Sequence, residues 1–177
     1  MLRMCARLFL CTTMVVGSTL LLTACSPREE PGTPPGMDGN ILYGQADMEY
    51  VLENIAVFRT RTDLIRPDPS TVAYLRNLKK RITLKVFMGS WCVDAQIHVP
   101  ELFKALLEAD NDRISVCVIG LDRRKRDRDG LVEKYGIELT PTIVVEYKGR
   151  EIGRIIEVPS KDAASDVVSI LQGTLGR

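Results

Sequence analysis

The stretch at residues 82–95, ITLKVFMGSWCVDA, decides how this chain is interpreted. Residues 82–88 are mostly apolar and rich in β-branched and aromatic side chains, which is typical of a buried strand. After a short break, residues 95–110 carry apolar side chains at spacings of three and four, which predicts an amphipathic helix. Cys92 is therefore expected at the corner where a strand meets the N-terminus of a long helix.

Strands and helices continue to alternate towards the C-terminus. The predicted elements are an apolar strand at 114–121 of the kind buried on both faces, a short helix at 130–135 ended by Gly136, strands at 142–147 and 151–158 joined as a hairpin, and a helix at 161–172 ended by Gly173. The resulting order, β-α-β-α-β-β-α, predicts an α/β domain over residues 81–177 with a mixed central sheet and helices on both faces.

A helical N-terminal extension is predicted to precede this domain, over residues 41–80. Its first helix carries apolar residues at i, i+3, i+4 and i+7 from Met48, with Asp47 as a candidate N-cap. Its second helix fits residues 70–80, which follow a Pro-Asp-Pro breaker at residues 67–69.

The N-terminus has the pattern of an export signal. Arg3 and Arg7 precede an uncharged stretch at residues 8–22, which is shorter than the roughly 20 apolar residues that a membrane span needs. Leu-Thr-Ala-Cys at residues 22–25 resembles the lipobox of bacterial lipoproteins. That resemblance implies a signal peptide at 1–24 and lipidation of Cys25, and an ordinary secretory signal is the alternative.

Residues 25–40 are rich in proline and glycine and are predicted to be a tether that forms neither helix nor packed core. Several acyl chains on one residue would anchor the protein stably to a membrane. The expected localisation is therefore the bacterial cell envelope, with the globular part outside the cytoplasm.

Charge and cysteine content narrow the function further. The chain has 24 Lys and Arg against 23 Asp and Glu, a balance that argues against a nucleic-acid partner. Of its five cysteines, Cys5 and Cys11 lie in the predicted signal and Cys25 is the predicted lipid site. Only Cys92 and Cys117 remain as thiols, so no disulfide framework is expected.

Cys92 is the best candidate nucleophile. Unpaired N–H groups and the positive end of a helix dipole favour a thiolate at this kind of corner. The stretch around it resembles the active-site region of the thioredoxin family, since Trp91 and Cys92 match the family's tryptophan and nucleophilic cysteine, and Pro100 matches the proline of its active-site helix.

A second block supports the same resemblance, which covers roughly residues 70–175. Lys-Tyr-Gly-Ile at residues 134–137, followed by Thr140-Pro141-Thr142, matches the family block whose proline is cis and faces the cysteine. The resemblance implies a thioredoxin-like fold in which Trp91 shields the thiol. It also implies that Thr140 and Pro141 present backbone to an extended substrate strand.

Two departures from the family pattern bear on the chemistry. Ala95 stands where thioredoxins have their second cysteine, and Val86 stands where many bury an aspartate. The sequence is similar to a subset of bacterial thioredoxin-like envelope proteins with a Trp-Cys-x-Asp motif, which here runs from Trp91 to Asp94.

A single thiolate can form a mixed disulfide, but a second thiol must release it. That thiol would come from a partner protein, from a small thiol, or from Cys117, which lies mid-strand and is expected to be buried and inert. The predicted function is monothiol thiol–disulfide exchange. The alternative is a redox-inactive binding or scaffold module for an envelope partner.

Several nearby residues carry secondary hypotheses. Asp94 fits either a first-turn structural role or a catalytic one. The cationic run at residues 123–128 should emerge at the same sheet edge as Cys92, where it would hold the thiolate, recruit an anionic partner, or simply form a solvated loop. A Cys/Asp/His metal site with His98 would have all three ligands on one short stretch of helix and none from a second segment, so no metal and no cofactor are predicted. Phe103 and Tyr135 are expected in the core.

Overall fold

Residues 32–176 are described by a computed structural model. The elements are β1 (Gly36–Asp38), β2 (Ile41–Ala46), α1 (Met48–Asn54), α2 (Ala56–Leu64), α3 (Pro69–Asn77), β3 (Ile82–Met88), α4 (Val93–Ala109), β4 (Ile114–Gly120), α5 (Leu131–Tyr135), β5 (Thr142–Tyr147), β6 (Arg150–Ile156) and α6 (Ala163–Leu175). The predicted signal peptide at 1–24, the lipid site at Cys25 and the first part of the tether lie outside the described residues.

The six strands form one mixed sheet in the order β1-β2-β4-β3-β5-β6. β3 and β4 run parallel, joined by the crossover helix α4, while the remaining neighbours pair antiparallel. Met88 and Gly120 are register partners at the ends of the two parallel strands. The segments that leave these strands therefore emerge at the same sheet edge, as the sequence predicts.

Helices cover the two faces of the sheet unequally. One face, with Leu84, Val86 and Val145, packs into a large core together with α1, α2, α3, α4 and α6. The other face buries Phe87 and Val144 in a smaller cluster that includes α5. The prediction of a mixed sheet with helices on both faces is confirmed.

Three aspartates begin helices by accepting a backbone N–H with their carboxylates. Asp47 accepts from Tyr50 at 2.7 Å at the start of α1, which confirms the predicted cap. Asp68 accepts from Thr71 at 2.8 Å before α3, and Asp162 is the cap of α6. Such caps satisfy N–H groups that have no partner within the helix.

The N-terminal region differs from its prediction. Residues 41–46 are a strand of the sheet rather than part of a helical extension, and residues 36–38 of the predicted tether pair with that strand. Gly44 and Gly120 are register partners, and a side chain on Gly120 would meet the Leu42 carbonyl at 2.5 Å. Close backbone approach at Gly120 therefore admits β2 to the sheet.

Several element boundaries also differ. Helix α2 was not predicted, and β6 ends at Ile156 rather than 158. Strand β4 is fully buried only over its last three residues, because β2 pairs with those residues and leaves the first four at an open edge of the sheet. Helix α6 continues through Gly173 to Leu175, since Gly176 rather than Gly173 has the positive φ at the end of the helix. No helix within residues 32–176 combines the length and apolarity needed to cross a bilayer.

Candidate active site

Cys92 is the N-cap residue of α4, as the sequence predicts, and it is half-buried. Its carbonyl accepts the first helical bond, from Gln96 N–H at 3.0 Å, and its own N–H donates to the Gly89 carbonyl at 2.9 Å. The side chain does not cap the helix. Instead, the thiol donates to the carbonyl oxygen of Thr140, 3.1 Å from Sγ.

Thr140 and Pro141 form the opposite side of the site. The peptide bond between them is cis, as the family resemblance implies. The Thr140 hydroxyl accepts the Gly89 N–H at 2.9 Å, and Thr140 is buried. The two sequence blocks, about 50 residues apart, therefore meet through one bond to the thiol and one bond to the loop that carries it.

Trp91 closes the site on the side of the loop that follows β4. Its indole N–H donates to the Leu121 carbonyl at 3.2 Å, and its ring lies against Gly89, where an added Cβ would come within 2.5 Å of it. Only glycine fits beneath the ring, so the missing side chain at Gly89 leaves the space that the indole of Trp91 occupies. The indole is half-buried beside Cys92.

Ser90 is a structural residue of the site that sequence reasoning missed. It is 3% exposed; its hydroxyl donates to the Asn40 carbonyl at 2.6 Å and accepts the Leu42 N–H at 3.0 Å. Its carbonyl accepts from the Gln96 amide at 2.9 Å. The partners of the hydroxyl lie 48 and 50 residues away in sequence, so no local sequence pattern indicates them.

The loop at residues 121–126, here called the arginine loop, forms a third side. Arg123 lies over the Trp91 ring, with 5.7 Å between its guanidinium carbon and the ring centroid. Lys125 donates to the Glu138 carbonyl at 3.0 Å, two residues before Thr140. The prediction that this cationic run emerges beside Cys92 is thus met by contacts to both sequence blocks.

Asp122 organises the arginine loop from within. Its carboxylate accepts the N–H groups of Arg124 and Arg126 at 2.8 and 2.9 Å and the guanidinium of Arg126 at 3.0 and 3.2 Å. The backbone hydrogen bond from Arg126 is the largest cause that lowers the pKa of Asp122 below its ordinary value. The loop therefore has a defined conformation at neutral pH.

Asp94 and His98 lie on α4 but do not assemble a metal site. Asp94 is in the first turn, which suits its charge to the helix dipole. The Nδ1 atom of His98 lies 3.1 Å from Glu101 Oε2, and the same oxygen accepts the Ala163 N–H at 3.2 Å. Residues 32–176 contain no cluster of three or more side chains suited to hold a metal ion.

Cys117 does not join the site. It packs with the smaller cluster around Phe87, on the sheet face opposite to the main core that Cys92 contacts. It is half-buried, and its sulfur lies 3.4 Å from Gln45 Oε1. Ala95, in place of a second active-site cysteine, is buried within the main core. Within the described residues, the fold thus offers Cys92 no intramolecular resolving thiol.

The two residues predicted to lie in the core, Phe103 and Tyr135, differ in burial. Phe103 is fully buried in the main core, and so is Val86. Tyr135 is only half-buried, and its hydroxyl donates to Glu146 at 2.7 Å. Burial raises the pKa of the Tyr135 phenol above its ordinary value, and the bond to Glu146 adds to the effect.

Comparison with known proteins supports the fold alone. No known protein family and no curated protein matches the sequence. A crystal structure of a protein of unknown function from Pseudomonas aeruginosa is similar, with 20% identity, a TM-score of 0.58, and coverage of 72% of this chain and 92% of that one. An HIV epitope-scaffold protein is similar to nearly the same extent, with 20% identity, a TM-score of 0.57, and coverage of 72% and 93%. These likenesses define the class as a mixed α/β protein.

Proposed function

We propose that this protein has a thioredoxin-like fold and performs thiol–disulfide exchange through Cys92. The observation that carries the proposal is the placement of the thiol at the N-terminus of α4, 3.1 Å from the carbonyl of Thr140 in the Thr140–cis-Pro141 pair. The strand order β4-β3-β5-β6, with α4 as the parallel crossover, supports the fold assignment.

The surroundings of the thiol suit a protein substrate. Val93, next to Cys92, is 63% exposed, and Ile156, the register partner of Thr142, is 50% exposed. Val93 is thus adjacent in sequence to the thiol, and Ile156 pairs with the strand that begins after the cis-proline. Exposed apolar side chains of this kind are a suitable surface for a peptide segment.

The proposed reaction proceeds in two balanced steps. The Cys92 thiolate attacks one sulfur of a substrate disulfide; a Cys92–S–S–substrate bond forms, the substrate S–S bond breaks, and the departing thiolate takes a proton from solvent. An external thiol, either a small thiol or a cysteine of a partner protein, then attacks the mixed disulfide. Its attack on the substrate sulfur breaks the Cys92–S–S–substrate bond, so Cys92 departs as a thiolate that takes a proton and a new disulfide joins the external thiol to the substrate.

The test compares the wild-type chain with Cys92→Ser and Cys117→Ser. Each protein is incubated with a peptide disulfide and excess small thiol, and peptide release is followed by mass spectrometry. We expect Cys117→Ser to retain the wild-type rate and Cys92→Ser to fall to the rate of the thiol alone. Equal rates for the wild type and Cys92→Ser would contradict the proposal.

A second candidate function is a redox-inactive binding module that uses the same surface around Cys92, Thr140 and Pro141. The replacement of the second cysteine by buried Ala95, together with the position of Cys117 on the far face, favours it. Thiol–disulfide exchange requires the sulfur of Cys92, whereas binding alone does not. A partner captured equally well by the wild type and Cys92→Ser, with no mixed disulfide seen on non-reducing gels, would support the binding module.

We propose further that Cys25 carries a lipid that anchors the protein in the bacterial envelope. The experiment expresses the full chain and Cys25→Ala in a bacterium that processes lipoproteins and partitions the extracts with detergent. We expect the wild type in the detergent phase with an acyl-sized mass increase, and Cys25→Ala in the aqueous phase. An unmodified wild-type mass would contradict the anchor and leave an ordinary secretory signal as the explanation.

A further inference from the structure

We propose that the site at Cys92 selects disulfides whose reacting cysteine is flanked by acidic side chains, and that Arg123 and Arg124 recognise those acids. The inference rests on the proposed exchange function and deepens it by naming the substrate class. The cations of the arginine loop do not all have the same role.

Three of the cations near the loop are already engaged. Arg126 is paired with Asp122 at 3.0 Å, and Lys125 is held by the Glu138 carbonyl. Arg128 stacks on Tyr43, with 3.6 Å between its guanidinium carbon and the ring centroid. These side chains maintain the shape of the loop and its attachment to the rest of the domain.

Arg123 and Arg124 are different. Both are exposed, and neither forms a salt bridge with any residue in the range 32–176. The bond from Arg124 to Asp122 uses the backbone N–H of Arg124 and does not involve its guanidinium. Both arginines are therefore accessible to an external carboxylate, and the Trp91 contact places the guanidinium of Arg123 at the rim of the site.

The position of Arg123 relates its charge directly to the thiol. Its guanidinium lies over the ring of Trp91, and Trp91 is the immediate neighbour of Cys92 in the loop. A guanidinium held against an aromatic ring loses less side-chain entropy when it binds a carboxylate, and its planar fork matches the two carboxylate oxygens. A substrate segment that crosses the thiol towards Trp91 would bring its flanking residues beside this cation.

The charge at this rim is local rather than a property of the whole chain, whose formal net charge is only +1. Asp94, on the first turn of α4, is the acid closest to Cys92 in sequence, and Asp122 within the loop is already paired with Arg126. Charges at the rim of an interface act mainly on the association rate and its salt dependence. The preference should therefore appear in second-order rates and weaken as salt screens it.

The test uses peptides that differ only in the residues on either side of one cysteine, which are aspartate, serine or lysine. The cysteine is joined as a mixed disulfide to thiopyridine, a neutral leaving group whose release is coloured. Each rate with the protein is divided by the rate with 2-mercaptoethanol, which removes the intrinsic reactivity of each peptide. We expect the wild type to favour the aspartate peptide over the lysine peptide by about tenfold at low salt.

Charge reversal identifies the residues responsible. Arg123→Glu and Arg124→Glu should each reduce the preference, and the double variant should invert it. Lys80→Glu is the matched control, because Lys80 is an exposed cation just before β3, at the opposite end of the parallel strands from Cys92. We expect Lys80→Glu to retain the wild-type preference.

The outcomes separate this inference from the proposed function. If release depends on Cys92 but the three peptides react equally, the charge preference is wrong while exchange stands. If Cys92→Ser releases thiopyridine as fast as the wild type from every peptide, exchange itself is wrong. A preference that Lys80→Glu reduces as much as Arg123→Glu does would assign it to the overall charge and overturn the role of the loop. Glutathione disulfide reacting faster than the aspartate peptide, with the same dependence on Arg123, would overturn a peptide as the substrate.

Discussion

Ser90 joins the active-site loop to the turn between β1 and β2, and its replacement is the sharpest test of that link. In Ser90→Ala the buried Leu42 N–H loses its acceptor and the Asn40 carbonyl loses its donor. An unsatisfied buried group costs about 1–3 kcal/mol, so we expect the free energy of unfolding to fall by that amount in chemical denaturation.

The matched control is Ser169→Ala, because Ser169 is exposed and its hydroxyl bonds only within α6. A surface change of this kind should alter stability by less than about 0.5 kcal/mol. If Ser90→Ala and Ser169→Ala proved equally mild, the hydroxyl of Ser90 would not hold the hairpin to the loop.

Thr140 makes a second buried link, through its hydroxyl to the Gly89 N–H. Thr140→Val keeps the shape of the side chain but removes the acceptor, so the Gly89 amide loses its bond. We expect hydrogen exchange at Gly89 to accelerate in Thr140→Val and to stay slow in Thr140→Ser, which retains the hydroxyl. Unchanged protection in Thr140→Val would mean that another group satisfies this amide.

These residues show which parts of the site a sequence can reveal. Cys92, Trp91 and Pro141 lie in two recognisable blocks, so their proximity followed from the resemblance. The role of Ser90 could not be predicted, because a serine in a loop can have many roles. Its hydrogen-bond partners are brought to it only when β2 joins the sheet. The position of Arg123 over Trp91 depends on the internal bonds of a loop that carries no periodic pattern.

At the scale of elements, the arginine loop is held by a carboxylate whose pKa is lowered, chiefly by the backbone hydrogen bond from Arg126. The stabilisation from such a group is present above the ordinary aspartate pKa of about 3.9 and is lost as pH falls through the lower folded value. We expect the stability difference between wild type and Asp122→Asn to be constant near neutral pH and to shrink below about pH 4, measured by urea denaturation.

Asp63→Asn is the control for this pH dependence of stability, because the Asp63 carboxylate accepts no hydrogen bond from a described residue. Its stability difference from the wild type should be smaller at neutral pH than that of Asp122→Asn. A difference for Asp122→Asn that stays flat down to the lowest pH at which the protein folds would show that the charge of Asp122 does not hold the loop.

The elements that were predicted correctly share a strong periodic pattern of apolar residues. Residues 82–88 and α4 gave clear strand and helix patterns, and the order of elements from β3 to α6 is as expected. β1 and β2 were not predicted, because β1 has three residues in a proline- and glycine-rich region and β2 is a short strand without a clear pattern of its own. β2 pairs with β4, more than 70 residues further along the chain, and β1 pairs with β2.

At the scale of the molecule, the helices of residues 48–77 do not stand apart from the sheet. Phe58 of α2 and Leu75 of α3 are fully buried in the core that also holds Leu84 and Leu102. The Asn111 amide donates to the carbonyl of Leu75 at 2.7 Å, which ties α3 to the connection between α4 and β4. The face of α4 turned away from the sheet is thus covered by earlier parts of the chain.

That shared core predicts the outcome of cutting the chain at the boundary that the sequence suggested. A chain of residues 81–177 lacks β1, β2 and the three helices, so it exposes apolar side chains of α4 and leaves the β4 edge unpaired. We expect it to lack a cooperative urea transition and a dispersed amide spectrum, whereas residues 32–177 show both. Residues 47–177, which lose only the β1–β2 hairpin, should fold with reduced stability because α1, α2 and α3 still cover α4. A cooperative transition in the 81–177 chain would show that the sheet and its later helices suffice, and that the earlier helices merely dock on a finished domain.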